Sequence, residues 1–250
     1  MGRFETAAPT YALHREPYPR TFFAAVAEAL GFEGREALID LGTGPGILAL
    51  GFAPYVGRIL GVDPEPAMLA EARRAGARAQ IEFPVIEGRA EDVAAEWGPF
   101  DLVTIGRALH WMDRDATLAA FDRILAPAGR LLICGSRTVP GEANPWREAF
   151  DAVLRAWGGG GEGGHRGLYE HWFDGSRFAR TAEIKVAHVQ PISPEALVER
   201  ALTRSTSSRA VLGPRIDAFK ADLLAALAPS FPDASGQELV EAQAVVFMAT

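Results

Sequence analysis

Leu38-Ile39-Asp40-Leu41-Gly42-Thr43-Gly44-Pro45-Gly46 joins an apolar run directly to a glycine-rich turn. Ala37 to Leu41 is an apolar run long enough for one buried strand, and alternating glycines end it abruptly. On the N-terminal side, Phe22, Phe23, Val26 and Leu30 recur at helical spacing and form one apolar face. On the C-terminal side a helix is expected up to about Phe52, then a strand over Arg58–Val62 and a helix marked by Met68, Leu69 and Ala72. Further strands are expected near Ile81–Ile86, Phe100–Ile105 and Arg130–Cys134. Leu118, Phe121, Ile124 and Leu125 supply the helix between the last two, which stops at Pro127-Ala128-Gly129. Regular alternation of strand and helix predicts a parallel sheet with crossover helices.

The second half is less regular. A helix is expected over Trp146–Trp157, followed by the run Gly158-Gly159-Gly160-Gly161-Glu162-Gly163-Gly164, which reads as a loop within one domain. Strands near Thr181–Val189 and Ala242–Ala249 flank helices over Pro194–Thr203 and Pro214–Ala228. The 250 residues, nearly half of them hydrophobic, suffice for one substantial core. Net charge is −7 and the basic residues are scattered, so the basic stripe of a nucleic-acid binder is missing. Cys134 is the only cysteine, which excludes an intramolecular disulfide, and it reads as a small buried hydrophobe. No apolar stretch approaches the roughly 20 residues of a membrane span and no secretory leader pattern opens the sequence, so a cytoplasmic location is expected.

Four segments carry chemistry. Glycines at alternating positions let the backbone turn sharply and approach a ligand where a helix N-terminus offers N–H groups. The spacing here is G-x-G-x-G, whereas the dinucleotide fingerprint is G-x-G-x-x-G around a pyrophosphate. Asp40, two residues before the first glycine, would repel a pyrophosphate and suits an ammonium group, directly or through water. Asp63 closes the second strand, where an acid accepts hydrogen bonds from ribose hydroxyls; alternatively it caps the next helix with Pro64 at the first position. Gly88-Arg89-Ala90-Glu91-Asp92 follows the third strand and either faces an adenine edge or forms an ordinary helix N-terminus. The segment Gly106-Arg107-Ala108-Leu109-His110-Trp111 follows the fourth strand, whose carboxyl end borders the ligand crevice of an open α/β sheet.

In this order and spacing the four segments resemble the class I S-adenosylmethionine-dependent methyltransferases, nearest the small-molecule branch of trans-aconitate methyltransferase-like and ubiquinone-biosynthesis-like enzymes. The resemblance extends to the opening segment Ala8–Pro19, the run Ala108–Trp111 and the closing strand Ala244–Met248. It implies an α/β, Rossmann-like, seven-stranded, mostly parallel sheet with helices on both faces, an antiparallel last strand and a small helical cap. It further implies one domain over 1–250, with an N-terminal lid over 1–20, a cofactor-binding core over 35–135 and a cap insertion over 190–230. Gly42, Thr43, Gly44 and Gly46 would lie beneath the methionine part of the cofactor, with Asp40 behind them and Asp63, Pro64 and Met68 around the ribose. Ala90 and Glu91 would border the adenine, and Gly106 and Arg107 would lie near the sulfonium. Because a cation beside a sulfonium is unfavourable, Arg107 is also a candidate for the cofactor carboxylate or an anionic substrate. Tyr11, Arg15 and Tyr18 would form the lid.

The expected reaction is in-line methyl transfer from S-adenosylmethionine to O, N, C or a carboxylate of a small molecule, leaving S-adenosylhomocysteine. His110 is the candidate base, the alternative being that it shapes the pocket. His14, Trp111, His165, Tyr169 and Trp172 are candidates for the substrate pocket, although Trp172 equally suits an anchor of its loop to the core. No metal site is expected, since His165 and His171 lack a ligand pattern around them. The polar run Ser205-Thr206-Ser207-Ser208 reads as a solvated turn. Two other classes stay open: an NAD(P)-dependent oxidoreductase, which the glycine spacing disfavours, and a non-catalytic nucleoside-binding partner subunit. Partners are expected to be a small-molecule substrate, with no nucleic acid and no membrane, in a monomer or homodimer.

Overall fold

A computed structural model describes residues 16–158, 171–204 and 206–250. In chain order the elements are α1 (Arg20–Leu30), β1 (Ala37–Leu41), α2 (Ile47–Phe52), β2 (Arg58–Asp63), α3 (Pro66–Ala79) and β3 (Val85–Glu87). Then follow β4 (Phe100–Gly106), α4 (Arg114–Ile124), β5 (Leu125–Thr138), α5 (Arg147–Ala156) and β6 (Phe178–Ile192). The chain closes with α6 (Pro194–Leu202), α7 (Arg209–Leu212), α8 (Ile216–Leu227) and β7 (Gly236–Ala249). The strands form one seven-stranded sheet in the order β3-β2-β1-β4-β5-β7-β6. β1 runs parallel to β2 and β4, β2 to β3, and β4 to β5. β7 runs antiparallel to its neighbours: Arg137 meets Glu241 while Val139 N–H reaches the Leu239 carbonyl, so one strand ascends as the other descends.

Helix ends follow local chemistry. Gly31, at φ 66°, terminates α1 in the left-handed conformation that glycine adopts without steric cost. Asp113 caps α4 by accepting from the Ala116 N–H at 3.0 Å, and Ser193 caps α6 by accepting from the Ala196 N–H at 3.2 Å. The third strand is shorter than expected, covering Val85–Glu87 rather than Ile81–Ile86. Pro84 has no N–H to give a ladder, so pairing begins after it, although its carbonyl still accepts from Gly61. Pro66, not Pro64, occupies the first turn of α3.

The chain forms two compact units. The first contains Tyr18–Gly135, 171–186 and Ala242–Thr250. Its strands bury both faces: Ile39, Leu41, Val103, Ile105, Leu131 and Ile133 join one apolar cluster, and the alternate residues Leu38, Leu102, Leu132 and Cys134 join another. This is the near-continuous hydrophobicity of a parallel sheet covered on both sides. The second unit contains 16–17, 136–158, 187–204 and 206–241, so the late helices share it with α5. Its core gathers Trp146, Phe150, Leu197, Phe219, Leu223 and Phe231. Ser207 is buried there, its hydroxyl donating to the Ala201 carbonyl at 2.7 Å, and Ser208 caps α7; the expected solvated turn is a helix junction.

The second unit also buries an ion pair. Both Arg200 nitrogens donate to Glu238, at 2.5 and 2.8 Å, and Thr138 and Gln190 donate to the same carboxylate at 2.5 and 3.0 Å. Glu16, also buried, stands 4.0 Å from the same guanidinium, so removing the Glu238 charge leaves Arg200 that longer contact, at a cost of about 3 kcal/mol, the low end for a broken buried pair. Glu238→Gln is therefore expected to lower unfolding free energy by about that amount in urea titrations, and to do so more than the exposed-pair change Glu183→Gln.

Candidate functional site

In the sheet order above, β1 and β4 are neighbours whose following connections leave in opposite directions. That switch point opens a crevice at the carboxyl ends of the strands, and the sequence places its glycine turn there. Gly42, Gly44 and Gly46 all have left-handed backbones, with φ of 69°, 54° and 81°. A Cβ on Gly42 would also fall 2.5 Å from the Ala108 Cβ, so the turn and the segment after β4 touch with no room for a side chain. Gly46 is the residue before α2, and Phe83 forms a wall 3.0 Å from where its Cβ would lie.

Two carboxylates hold this turn. Asp40 is buried at the end of β1, where one oxygen accepts from the Thr43 hydroxyl at 2.7 Å and the other from the Thr104 hydroxyl at 2.8 Å. Thr104 is its register partner on β4, so this carboxylate joins the turn to the neighbouring strand. Burial pushes the Asp40 carboxyl up to about 6, against the pull of the Thr43 and Thr104 hydrogen bonds. Asp63, closing β2, accepts from the Gly44 N–H at 2.8 Å and from the Glu65 N–H at 2.9 Å. The Val62 carbonyl accepts from both Gly42 and Thr43 N–H groups, clipping the turn to β2 as well. Burial raises the Asp63 carboxyl above the usual range, and the two backbone N–H groups oppose that rise.

The expected site residues fall into three groups. Asp40, Gly42, Thr43, Gly44, Gly46 and Asp63 are drawn into one hydrogen-bonded unit by the contacts above. Met68 is buried on the first turn of α3, Pro64 is exposed beside Asp63, and Ala90 is buried in a short helical turn after β3. Glu91 accepts from Arg89 and from the Asp113 N–H at 2.8 Å, so it ties the segment after β3 to the cap of α4. Burial raises the Glu91 carboxyl, but the Arg89 and Asp113 hydrogen bonds outweigh it and hold the group below the usual range.

Beyond β4, Gly106 packs so closely that a Cβ would meet Leu48 at 2.8 Å. Arg107 adopts φ 58°, a left-handed backbone that costs a residue with a side chain on the order of 1–3 kcal/mol. Its guanidinium lies 4.9 Å over the ring of Tyr18, which is buried against Phe22 and Phe23. His110 stands half-buried against Trp111, ring centroids 4.6 Å apart, and Trp111 is 46% exposed. Trp172 sits elsewhere: it is buried among Phe121 and Phe173, and its carbonyl accepts from Arg114 at 2.7 Å. These contacts tie its segment to α4. Burial pushes the Cys134 thiol up, away from thiolate character. Tyr11, His14, Arg15, His165, Tyr169 and Ser205 lie outside the described residues.

Thr104 and Phe83 were missed in the sequence. Thr104 is the one hydroxyl inside the apolar run of β4, and that incongruity was its signal. Phe83 carried none, because it lies in the stretch assigned to a longer third strand.

A clipped glycine turn at the switch point of a sheet ordered 3-2-1-4-5-7-6 defines the Rossmann-like methyltransferase fold. Residues 39–133 match the family described as Methyltransferase domain. Ribosomal protein L11 methyltransferase of Thermus thermophilus is 33% identical over 128 residues, covering 51% of this chain and 49% of that protein. Demethylmenaquinone methyltransferase of the same species is 35% identical over 142 residues, covering 53% of this chain and 64% of that protein. The chain thus spans about half of the first curated relative and under two thirds of the second. Among solved structures, a SAM-dependent methyltransferase of Thiobacillus denitrificans in complex with S-adenosylhomocysteine is 16% identical, with a TM-score of 0.60 over 99% of this chain and 98% of that one. A SAM-dependent methyltransferase of Geobacter sulfurreducens, also in complex with S-adenosylhomocysteine, is 16% identical with a TM-score of 0.58 over 100% and 99% of the two chains. These two likenesses show the fold. Among the described residues no helix is long and apolar enough to cross a membrane.

Two tests follow the geometry. Gly42→Ala and Gly44→Ala both force a side chain into a left-handed backbone, but only the first meets a neighbour closer than 4 Å. Melting should therefore fall further for Gly42→Ala, each kcal/mol moving the midpoint about 2–4 °C in a chain of this size. Asp40 holds its proton in the fold up to about 6 against 3.8 for the ordinary group. Its contribution to stability therefore declines as pH rises between those values, and above the upper one it costs roughly 3 kcal/mol. Asp40→Asn should flatten this part of the stability profile, measured as urea midpoints from acid to neutral pH.

Proposed function

We propose that this protein transfers a methyl group from S-adenosylmethionine to a small-molecule acceptor by in-line displacement. The observation that carries the reading is the turn itself: three left-handed glycines held against a buried carboxylate at the switch point. The residues present fit that cofactor. Each Asp63 oxygen accepts one backbone N–H, and a carboxylate has about four lone-pair directions, so capacity is left for two ribose hydroxyls. The side-chain-free surface at Gly44, where the Gly42 carbonyl at 4.0 Å is the one neighbour among the described residues, admits a ligand chain close to the backbone, which a pyrophosphate-binding turn of longer spacing would arrange differently. Met68 would lie near the ribose, and Ala90 and Glu91 would border the adenine. Asp40 contributes negative potential behind the turn, where the cofactor's ammonium is expected.

When bound, S-adenosylmethionine supplies a methyl carbon on a sulfonium. Held by the Gly42–Gly46 turn and Asp63, it would give that methyl to a lone pair of the acceptor, the carbon–sulfur electron pair remaining on the sulfur of neutral S-adenosylhomocysteine. The protein's share is orientation and exclusion of water, which supplies roughly 7–11 kcal/mol in well-aligned systems. His110, beside Trp111 on the turn after β4, shapes the acceptor side and is the nearest candidate to take a proton that an O or N acceptor loses. A small-molecule acceptor accords with the similarity to demethylmenaquinone methyltransferase and with the segments that resemble the small-molecule branch. A nucleic-acid substrate is disfavoured by the net charge of −7 with scattered basic residues.

Calorimetric titration with S-adenosylmethionine, S-adenosylhomocysteine and NADH tests this. Micromolar binding of the two sulfur nucleosides is expected, lost in Asp63→Ala while the variant stays folded by circular dichroism. Binding of NADH in their place would return the chain to the oxidoreductases.

A further inference from the structure

We propose that β6 is the contact surface for a second copy of this chain, which lays its own β6 antiparallel along Ala182–Val186 with Ile184 facing Ile184. The proposal does not depend on the methyl-transfer reading. Its first support is topology. β6 ends the sheet order, with β7 on one side and, among the described residues, no strand on the other. An edge strand presents a row of backbone N–H and C=O groups that pair readily with another strand.

The two side-chain rows of this stretch differ. Ala182, Ile184 and Val186 are half-buried, and the last two pack against the apolar cluster that contains Phe22 and Leu132. A strand laid beside them extends that face. Centred on Ile184, the apolar pairs are Ile184 with Ile184 and Ala182 with Val186, the cross-strand contacts that stabilise a sheet. Thr181, Glu183 and Lys185 form the exposed row. Within one chain the Glu183 carboxylate pairs with Lys185 at 3.1 Å and with Arg180 at 2.8 Å.

The charged row is what commits this edge to a copy of itself. A lone lysine on an edge strand blocks pairing. Here an acid stands two positions before it, so a half-turn about Ile184 sets Glu183 opposite Lys185 of the second copy, and Lys185 opposite its Glu183. The neighbouring arrangements fail. Centring on Glu183 or on Lys185 brings like charges face to face, and a parallel in-register pair does so at both positions. A slip by one residue sets the apolar row of one copy against the charged row of the other. Attraction in one register with repulsion in the others is how an interface acquires specificity for one partner. β6 and β1 lie well apart in the sheet order, so the contact uses none of the glycine turn.

A short ladder makes a weak contact, so the dimer is expected with a Kd on the order of tens of micromolar, read by sedimentation velocity of the full chain across that range. Glu183→Lys and Lys185→Glu each set like charges opposite one another at both positions, and each is expected to weaken association about tenfold or more. The decisive arm mixes these two variants. One then carries only cations at the two positions and the other only acids, so each repels itself while the mixture restores both attractions and dimerises like wild type. Circular dichroism checks that both variants fold. Hydrogen exchange adds a readout that needs no variant: the backbone amides of Ala182–Val186 are expected to slow as wild-type concentration rises. A wild type that stays monomeric through the range, single variants that associate like wild type, a mixture that gains nothing, or amides indifferent to concentration each overturns the proposal. Dimers that survive both substitutions assign the contact to another surface.

Discussion

The bridge from Thr43 through Asp40 to Thr104 is the constraint on which the site depends. A carboxylate taken out of water is stable only with hydrogen bonds aimed at it, and these two hydroxyls come from different pieces of chain. One belongs to the glycine turn, the other to the adjacent strand. Satisfying Asp40 therefore fixes where the turn sits over the sheet. Asp63 repeats the device with backbone donors, and its acceptance from Gly44 sets the height of the turn above β2. Both acids are displaced upward in pKa by the burial that makes them useful. Stability is surrendered locally so that negative potential and a pre-bent backbone coexist at the crevice.

Close packing completes what the acids begin. Gly42 and Ala108 lie in contact across the switch point, Gly61 leaves space for Thr43, and Gly46 abuts Phe83. These contacts join segments far apart in sequence into one rigid floor. Above it, the short run from Gly106 to Trp111 differs in kind: a strained arginine and a tilted His–Trp pair follow the end of β4.

Much of this was legible from residue order. Strand–helix alternation and the glycine spacing led to the sheet and its switch point, because burial on both faces imposes apolar runs that local reading detects. The last three strands were placed but drawn too short: β5 extends from Leu125 and β6 from Phe178 to Ile192. Exposed alternate residues in β6 dilute the apolar pattern, and pairing with β7 compensates in a way no window of sequence displays. Pro84 interrupts the apolar run of the third strand, so β3 is shorter than that run and Phe83 lies outside it. Asp40 was noticed for its charge, yet its partners were not, since Thr104 lies 64 positions away and meets it only through strand register. Trp172 illustrates the opposite difficulty: an aromatic after a glycine run suggests a binding site, and only packing against Phe121 reveals an anchor.

β5, β6 and β7 each begin in one compact unit and end in the other, with changes at Gly135/Ser136, Val186/Ala187 and Glu241/Ala242. The unit bearing the late helices is thus not a contiguous stretch of chain, and no single cut releases it. Exchanging it for that of a relative would need three splices inside hydrogen-bonded strands, each preserving register to the residue. Diversification of what such a protein accepts would accordingly proceed by substitution within the existing unit rather than by trading modules, and recombination libraries built on one or two crossovers would yield mostly broken sheets.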